Sequence, residues 1–237
     1  MEAAVRLAGV AAARIDLRRH AGVHQRIGAM DVCPFVPVEG IGLAECAALA
    51  QWAGNRIWLE HDVPVYFYEA AALRGECGKL EDVRRGALHG KLLPDIGGPG
   101  LSPSAGAVVV GARKFLIAFN VNLATADLAV ARRIASSVRE SGGGLAKVKA
   151  LGLPPASAGV VQVSMNLVDF EATSIQQAFE PVEREAAALG INVRESELIG
   201  LVPAAALDAG IAARVKLRAW SPDMILENRL AKCHLQN

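Results

Sequence analysis

KFLIAFNVNLATADLAVARRIASSVRE, residues 114–140, reads as a strand running into a helix. The opening apolar run (114–123) has strand length, and Thr125 offers an N-cap for a helix over 126–140. SGGG at 141–144 breaks that helix. Beyond it, 147–151 suits a short strand and 159–168 a strand with alternating apolar positions. A helix is predicted over 173–189, with Gly190 as its C-terminal stop. A strand over 191–202 follows, then the start of a helix at 203–209. The order is strand, helix, strand, strand, helix, strand, the split βαββαβ pattern of a ferredoxin-like sheet in the α+β class. Residues 222–230 suit a terminal helix with Pro222 in its first turn.

Towards the N-terminus, residues 1–20 read as an Ala-rich helix closed by Arg18, Arg19 and His20, cations suited to a helix C-terminus. A strand is expected over 29–38, where Pro34 and Pro37 point to a sheet edge or a strand end. Leu43, Cys46, Ala47, Ala50, Ala53 and Ile57 recur at helical spacing, so 43–60 reads as a helix. VPVYFY (63–68) is β-rich, and 80–88 suits a short helix. PDIGGPGLSPSAG (94–106) has turn density and reads as a loop. The domain boundary is placed near 106–113, giving units of 1–112 and 113–237.

A chain of 237 residues can bury a substantial core, as one large or two small domains. With 52% hydrophobic and 21% charged residues, it belongs to the globular class. A net charge of +1 argues against a broad electrostatic grip on nucleic acid. No apolar run reaches the ~18 residues of a membrane span. The N-terminus lacks the basic start and dense apolar stretch of a signal peptide. Cys33, Cys46, Cys77 and Cys233 are scattered without a CxxC pair, so neither a zinc site nor a disulfide scaffold is expected, and free thiols suit a reducing cytoplasm. There is no Walker loop, GxSxG, HExxH or dinucleotide fingerprint.

The chemistry concentrates at residues 20–37, HAGVHQRIGAMDVCPFVP. A helix end, a Gly-containing turn and a strand start place His24 on a connection between rigid elements, where an imidazole can change charge near neutral pH. On the residues alone, a turn histidine bonded to backbone is the better reading. His20 reads as a helix-end cation, and His61, His89 and His234 as surface residues.

The pattern HxRxGAxDVxPFxPV that begins at His24 resembles the signature of the formiminotransferase family. So do GARKFLIAFNVNL (111–123), QVSMNLVDFEATSI (162–175) and SELIGLVP (196–203). Gln25 stands where the family usually has proline, which loosens the turn without displacing the histidine. The resemblance implies two ferredoxin-like subdomains with a cleft between them. The first is expected to be N-terminally truncated, because the chain opens inside a helix where family members carry earlier strands. It implies a monofunctional glutamate formimidoyltransferase, without the appended cyclodeaminase domain, acting in histidine degradation. Its substrates would be N-formimino-L-glutamate and (polyglutamyl) tetrahydrofolate, the latter a cosubstrate, with no metal. The expected protein is a cytoplasmic homodimer that binds neither nucleic acid nor membrane. Two alternatives remain: a formyl transfer or 5-formyltetrahydrofolate activity in the same cleft, and an inactive or partner-dependent folate-binding remnant.

By the same resemblance His24 is the catalytic acid/base. Gly97, Gly98, Pro99, Gly100, Leu101, Ser102, Pro103, Ser104, Ala105 and Gly106 form the folate-binding loop. Composition alone reads that loop as a linker, although glycine backbone does admit a flat ligand closely. Arg113 and Lys114 would suit the carboxylates of the substrate or of a polyglutamyl tail, and a solvated strand end accounts for them equally well. Glu197 falls where the family orients its active site. Asn166 and Asp169 read as polar strand residues.

Overall fold

The computed structural model describes residues 1–20, 26–157 and 159–234. The chain divides into two compact units, Met1–Lys114 and Phe115–Asn237.

The first unit runs α1 (Glu2–Arg14), β1 (Asp31–Phe35), α2 (Leu43–His61), β2 (Val65–Glu69), α3 (Leu80–Leu88) and β3 (Val108–Ala112). Its sheet has the order β1-β3-β2 and is parallel throughout. This departs from the antiparallel ferredoxin-like sheet expected for this half, because each connection carries a helix that returns the chain to the same end of the sheet. Helices α1 and α2 bury Val5, Ala8, Ala50, Ala53 and Ile57 with Val65, Phe67, Val108 and Val110 on one face. Small residues on α2 let it lie close: a Cβ on Gly54 would stand 2.6 Å from the Phe67 ring. Val83 and Ala87 of α3 pack on the other face with Tyr66, Tyr68 and Val109.

Three local expectations change in this unit. The first helix ends at Arg14, and a separate single turn, Leu17–Arg19, is capped by Asp16, whose carboxylate accepts the Arg18 N–H at 3.1 Å. β1 is shorter than 29–38 and lies at the sheet edge with Pro34 inside it. β3, the buried central strand, falls where no strand is predicted, just ahead of the division between the units. The strand predicted over 114–123 begins only at Ile117: Gly111 and Ala112 end β3, and Arg113 and Lys114 lie between the two strands.

The second unit runs β4 (Ile117–Leu123), α4 (Leu128–Val138), β5 (Val148–Ser157), β6 (Val160–Leu167), α5 (Ile175–Ala188), β7 (Val193–Ile199), α6 (Ala209–Arg214) and α7 (Leu226–His234). The sheet order is β5-β6-β4-β7 and every neighbouring pair is antiparallel. Phe119, Val121, Leu123, Val161, Val163 and Met165 meet Ile134, Ala135, Phe179 and Val182 of α4 and α5 in one core. Helix α4 is capped by Asp127 instead of Thr125: the Asp127 carboxylate accepts the Ala129 N–H at 2.8 Å, and Thr125 Oγ1 accepts the Asp127 N–H at 3.2 Å. β5 is longer than the predicted 147–151. The expected helix start at 203–209 is a single turn, Ala204–Ala206, before α6, and the terminal helix is a turn, Pro222–Met224, before α7. Among the described residues no helix is long and apolar enough to cross a membrane.

Candidate active site

In the first unit, residues before and after His24 in the chain are bonded to the end of the Gly-rich loop. Ala107 N–H donates to the Ile27 carbonyl at 2.9 Å, Ala29 N–H to the Ala105 carbonyl at 2.8 Å, and Leu17 N–H to the Ser104 carbonyl at 2.9 Å. Ser102 and Gly106 exchange both backbone hydrogen bonds at 2.8 Å, which closes the loop end into a tight turn. The approach needs glycine on both sides. A Cβ on Gly28 would fall 1.6 Å from the Ala107 carbonyl oxygen, and one on Gly106 would fall 2.0 Å from that of Ile27. His24 itself lies outside the described residues. The residues flanking its segment are joined, because Arg26 Nη2 donates to the His20 carbonyl at 2.9 Å.

Asp31 braces the same strand start. Its backbone takes φ 57°, a left-handed value. Its carboxylate accepts the Ile27 N–H at 2.8 Å and pairs with Arg84 of α3. The other end of the loop is anchored by Asp95, whose side chain is 4% exposed. Asp95 accepts the Phe67 N–H at 2.7 Å and Arg74 Nε at 3.0 Å. Gly97 (φ 85°) lies against the Trp58 ring of α2, with its Cβ position 2.4 Å from the indole. The loop is thus fixed at both ends, leaving Gly98–Leu101 between the anchors.

Arg113 is half-buried. Its N–H donates to the Phe35 carbonyl at 3.1 Å, and its guanidinium reaches the Lys114 carbonyl at 3.0 Å and the Tyr68 hydroxyl. Burial pushes the Tyr68 phenol up to about 12 and the Cys33 thiol up to about 11. Both stay protonated at neutral pH and serve shape and hydrogen bonding. Lys114 is exposed. His61 departs from the surface reading: it is half-buried, with its ring against Gly9 of α1. His89 is exposed, with Nδ1 2.7 Å from the Arg85 carbonyl.

Glu197 lies in the second unit, on the sheet face opposite α4 and α5. Its Oε1 accepts Gln162 Nε2 at 2.8 Å and Asn120 Nδ2 at 3.2 Å, and its Oε2 accepts Arg218 Nη2 at 3.1 Å. Gln162 Nε2 also donates to Asn122 Oδ1 at 3.0 Å, and Asn122 Nδ2 donates to Glu195 at 3.4 Å. Arg218 Nη1 bridges to Glu195 at 3.3 Å. The chain at Arg218 is tied to β7, since Arg218 N–H donates to the Ser196 carbonyl at 2.8 Å and Ser196 N–H to the Lys216 carbonyl at 2.9 Å. Asn120, Asn122, Gln162, Glu195 and Arg218 were not singled out from sequence. The available signal is the Asn-Val-Asn alternation of β4, which puts two amides on one face of a strand whose other face is core. Asn166 is exposed on the same face as Glu197.

Comparison with known proteins bears on both halves. The Formiminotransferase domain, N-terminal subdomain, matches residues 1–113, and the Formiminotransferase domain matches residues 118–217. The chain belongs to the formiminotransferase family. It is 44% identical over 214 residues to "Glutamate formimidoyltransferase" of Streptococcus pyogenes, covering 87% of this chain and 72% of that protein. To the protein of the same name from Thermoplasma acidophilum it is 38% identical over 237 residues, covering 95% of this chain and 78% of that one. To "Formimidoyltransferase-cyclodeaminase" of Rattus norvegicus it is 43% identical over 221 residues, 87% of this chain and 41% of the rat protein.

Within this formiminotransferase, the His24 motif and the Gly-rich loop fall in the first match and Glu197 with its amides in the second. Among the described residues no group of three or more His, Cys, Asp or Glu side chains is placed to hold a metal ion.

Proposed function

We infer that this chain is a glutamate formimidoyltransferase, moving the formimino group of N-formimino-L-glutamate to N5 of tetrahydrofolate and releasing glutamate. The observation that carries this reading is its likeness, over most of its length, to two proteins of that name. Tetrahydrofolate acts as a cosubstrate. In this reading N5 attacks the formimino carbon, and a tetrahedral intermediate forms. Collapse breaks the bond from that carbon to the glutamate nitrogen. His24 takes the proton from N5 and returns it to the leaving amine, which suits an imidazole titrating near neutrality.

The Gly97–Gly106 loop would receive the folate, Glu197 would orient the reactants, and Arg113 and Lys114 would meet substrate carboxylates. The mutual anchoring of the loop and the segment after His24 supports putting folate and the proton shuttle in one site. The second unit would be a ferredoxin-like subdomain, a reading supported by its strand order β5-β6-β4-β7. The subdomains would be 1–112 and 113–237, close to the division between the compact units. The resemblance extends the proposal to a cytoplasmic homodimer.

The test is to mix the purified chain with N-formimino-L-glutamate and tetrahydrofolate and follow 5-formiminotetrahydrofolate by absorbance, with a formyl donor in parallel. Turnover with the formimino donor is expected. His24→Ala should lower it about 10²–10⁴-fold while tetrahydrofolate still binds. Turnover only with the formyl donor would replace the activity proposed, and an unchanged rate in the variant would remove His24 from its role.

A further inference from the structure

Three independent features meet in Asp31 of the first unit. Its backbone is left-handed, φ 57°, a conformation that costs a residue with a side chain energy and persists where the surroundings impose it. Its Oδ1 accepts the Ile27 N–H at 2.8 Å. Its Oδ2 pairs with Arg84 Nη2, which comes from α3, 53 residues away in the chain. The Arg84 and Asp31 side chains are 26% and 23% exposed, so water screens this pair less than a surface contact.

Ile27 is the residue that this arrangement fixes. Its side chain is 1% exposed and packs in one cluster with Val83 and Ala87 of α3. Its N–H goes to Asp31, and its carbonyl accepts the Ala107 N–H at 2.9 Å. Ile27 follows His24 by three residues, a reach of at most about 10 Å, which makes it the near anchor for that histidine. A carboxylate held at one oxygen only can turn about its side-chain bonds. Held at Oδ2 by a guanidinium, it presents Oδ1 to Ile27 in one orientation. Partly burying an ion pair is a weak way to stabilise a fold, because desolvation offsets much of the attraction. Paired with a left-handed backbone beside the motif histidine, it serves position instead.

We propose that Arg84 is a positioning residue for proton transfer: by pairing with Asp31 it fixes the carboxylate that holds Ile27, the anchor next to His24. The proposal rests on the formimidoyltransferase reading and deepens it, extending the site to a helix that supplies no reacting group. Neither side chain needs to touch a substrate. A displacement of about 1 Å at a reacting group can cost about 10²-fold in rate, whereas binding contacts made elsewhere keep their strength.

The experiment measures steady-state transfer and amide hydrogen exchange on the full chain and on Arg84→Gln, Arg84→Lys, Asp31→Asn and the Arg84→Gln/Asp31→Asn double variant. Asparagine tolerates a left-handed backbone and keeps an acceptor, so Asp31→Asn removes the charge without adding strain. Arg84→Gln should lower kcat about ten- to a hundredfold, with KM for both substrates within about twofold. Arg84→Lys keeps the charge without the planar fork and should recover part of the loss. The double variant should be no slower than the slower single one, because Arg84 acts through Asp31. The Ile27 N–H should lose protection about tenfold in Arg84→Gln, while the Ala29 N–H, bonded to the Ala105 carbonyl, keeps its own. A purely structural role would lower the unfolding midpoint and leave the kcat of the folded chain unchanged. An unchanged kcat in Arg84→Gln would overturn the proposal and leave the activity standing, and additive losses in the double variant would overturn it as well. A wild-type chain that transfers no formimino group would sink the activity. Loss of Ile27 protection in Arg84→Gln would then still support the hold of Arg84 on that anchor, and full protection would overturn it.

Discussion

At Gly106 two constraints coincide. The backbone takes φ 69°, and a Cβ would stand 2.0 Å from the Ile27 carbonyl oxygen and 2.7 Å from the Gly28 Cα. Those neighbours are backbone, so they cannot move aside as a side-chain tip would. Gly106→Ala should therefore destabilise the first unit by about 2–4 kcal/mol, read as a lower urea midpoint. Gly100 is the internal control. Nothing lies within 4 Å of its Cβ position and its φ is not in the left-handed range, so Gly100→Ala should stay within about 0.5 kcal/mol. Equal effects at the two glycines would mean that the contact with Ile27 is not what Gly106 provides. In the sequence the two glycines look alike. The difference arises from a partner far away in the chain, which composition and spacing do not encode. Asp31 is similar: its place in the motif is visible, but its pairing with Arg84 is not. The Asn-Val-Asn alternation of β4, by contrast, was open to a period-two reading of one strand.

At the level of elements, legibility follows how local the cause is. Helix α3 runs over the residues expected, and α2 ends one residue later than expected, because spacing and capping lie within the segments themselves. For α2, Glu45 accepts the Gly42 N–H at 2.8 Å, a first-turn contact set by neighbouring residues. β3 was missed for a physical reason. Its residues, VVVGA, are all buried, so the strand lacks the polar alternation that marks a half-exposed one, and it is short. The start of α4 moved from Thr125 to Asp127 because both side chains can cap and only the folded turn decides between them. Helix α5 offers a clean test of such local causes. Ser174 Oγ accepts the Gln177 N–H at 3.3 Å, and Gln177 Oε1 accepts the Ser174 N–H at 2.9 Å, a reciprocal box. Ser174→Ala should cost about 1 kcal/mol in equilibrium unfolding, and Ser174→Asp should restore most of it. No loss in the alanine variant would show that core packing of Ile175, Ala178 and Phe179 alone fixes where the helix begins.

Across the whole molecule, acid should act on both units through carboxylates that the fold has paired. In the first unit, hydrogen bonding to Arg18 holds Asp16 down from 3.8 to about 2, and Arg56, followed by Arg6, lowers Glu2. In the second, Lys216 and then Arg214 lower Glu183, which ties α5 to the region of α6, and Lys232 lowers Asp223. A carboxylate whose pKa is lower folded than unfolded binds more protons in the unfolded state at intermediate pH. Its stabilisation is complete above the unfolded value and is lost as pH falls through the folded one. For these four groups the unfolded values are 4.5 for the glutamates and 3.8 for the aspartates. Their contribution should therefore be constant from neutral pH down to about 5 and fall between about pH 4.5 and 2. Most of these pairs are surface contacts, screened by water and salt, so the acid limb should be shallow and should flatten further in 0.5 M sodium chloride. Urea midpoints recorded from pH 7 to pH 2.5 at two salt concentrations would show this. A loss of stability already under way at pH 6, where none of these carboxylates titrates, would show that other groups set the pH response.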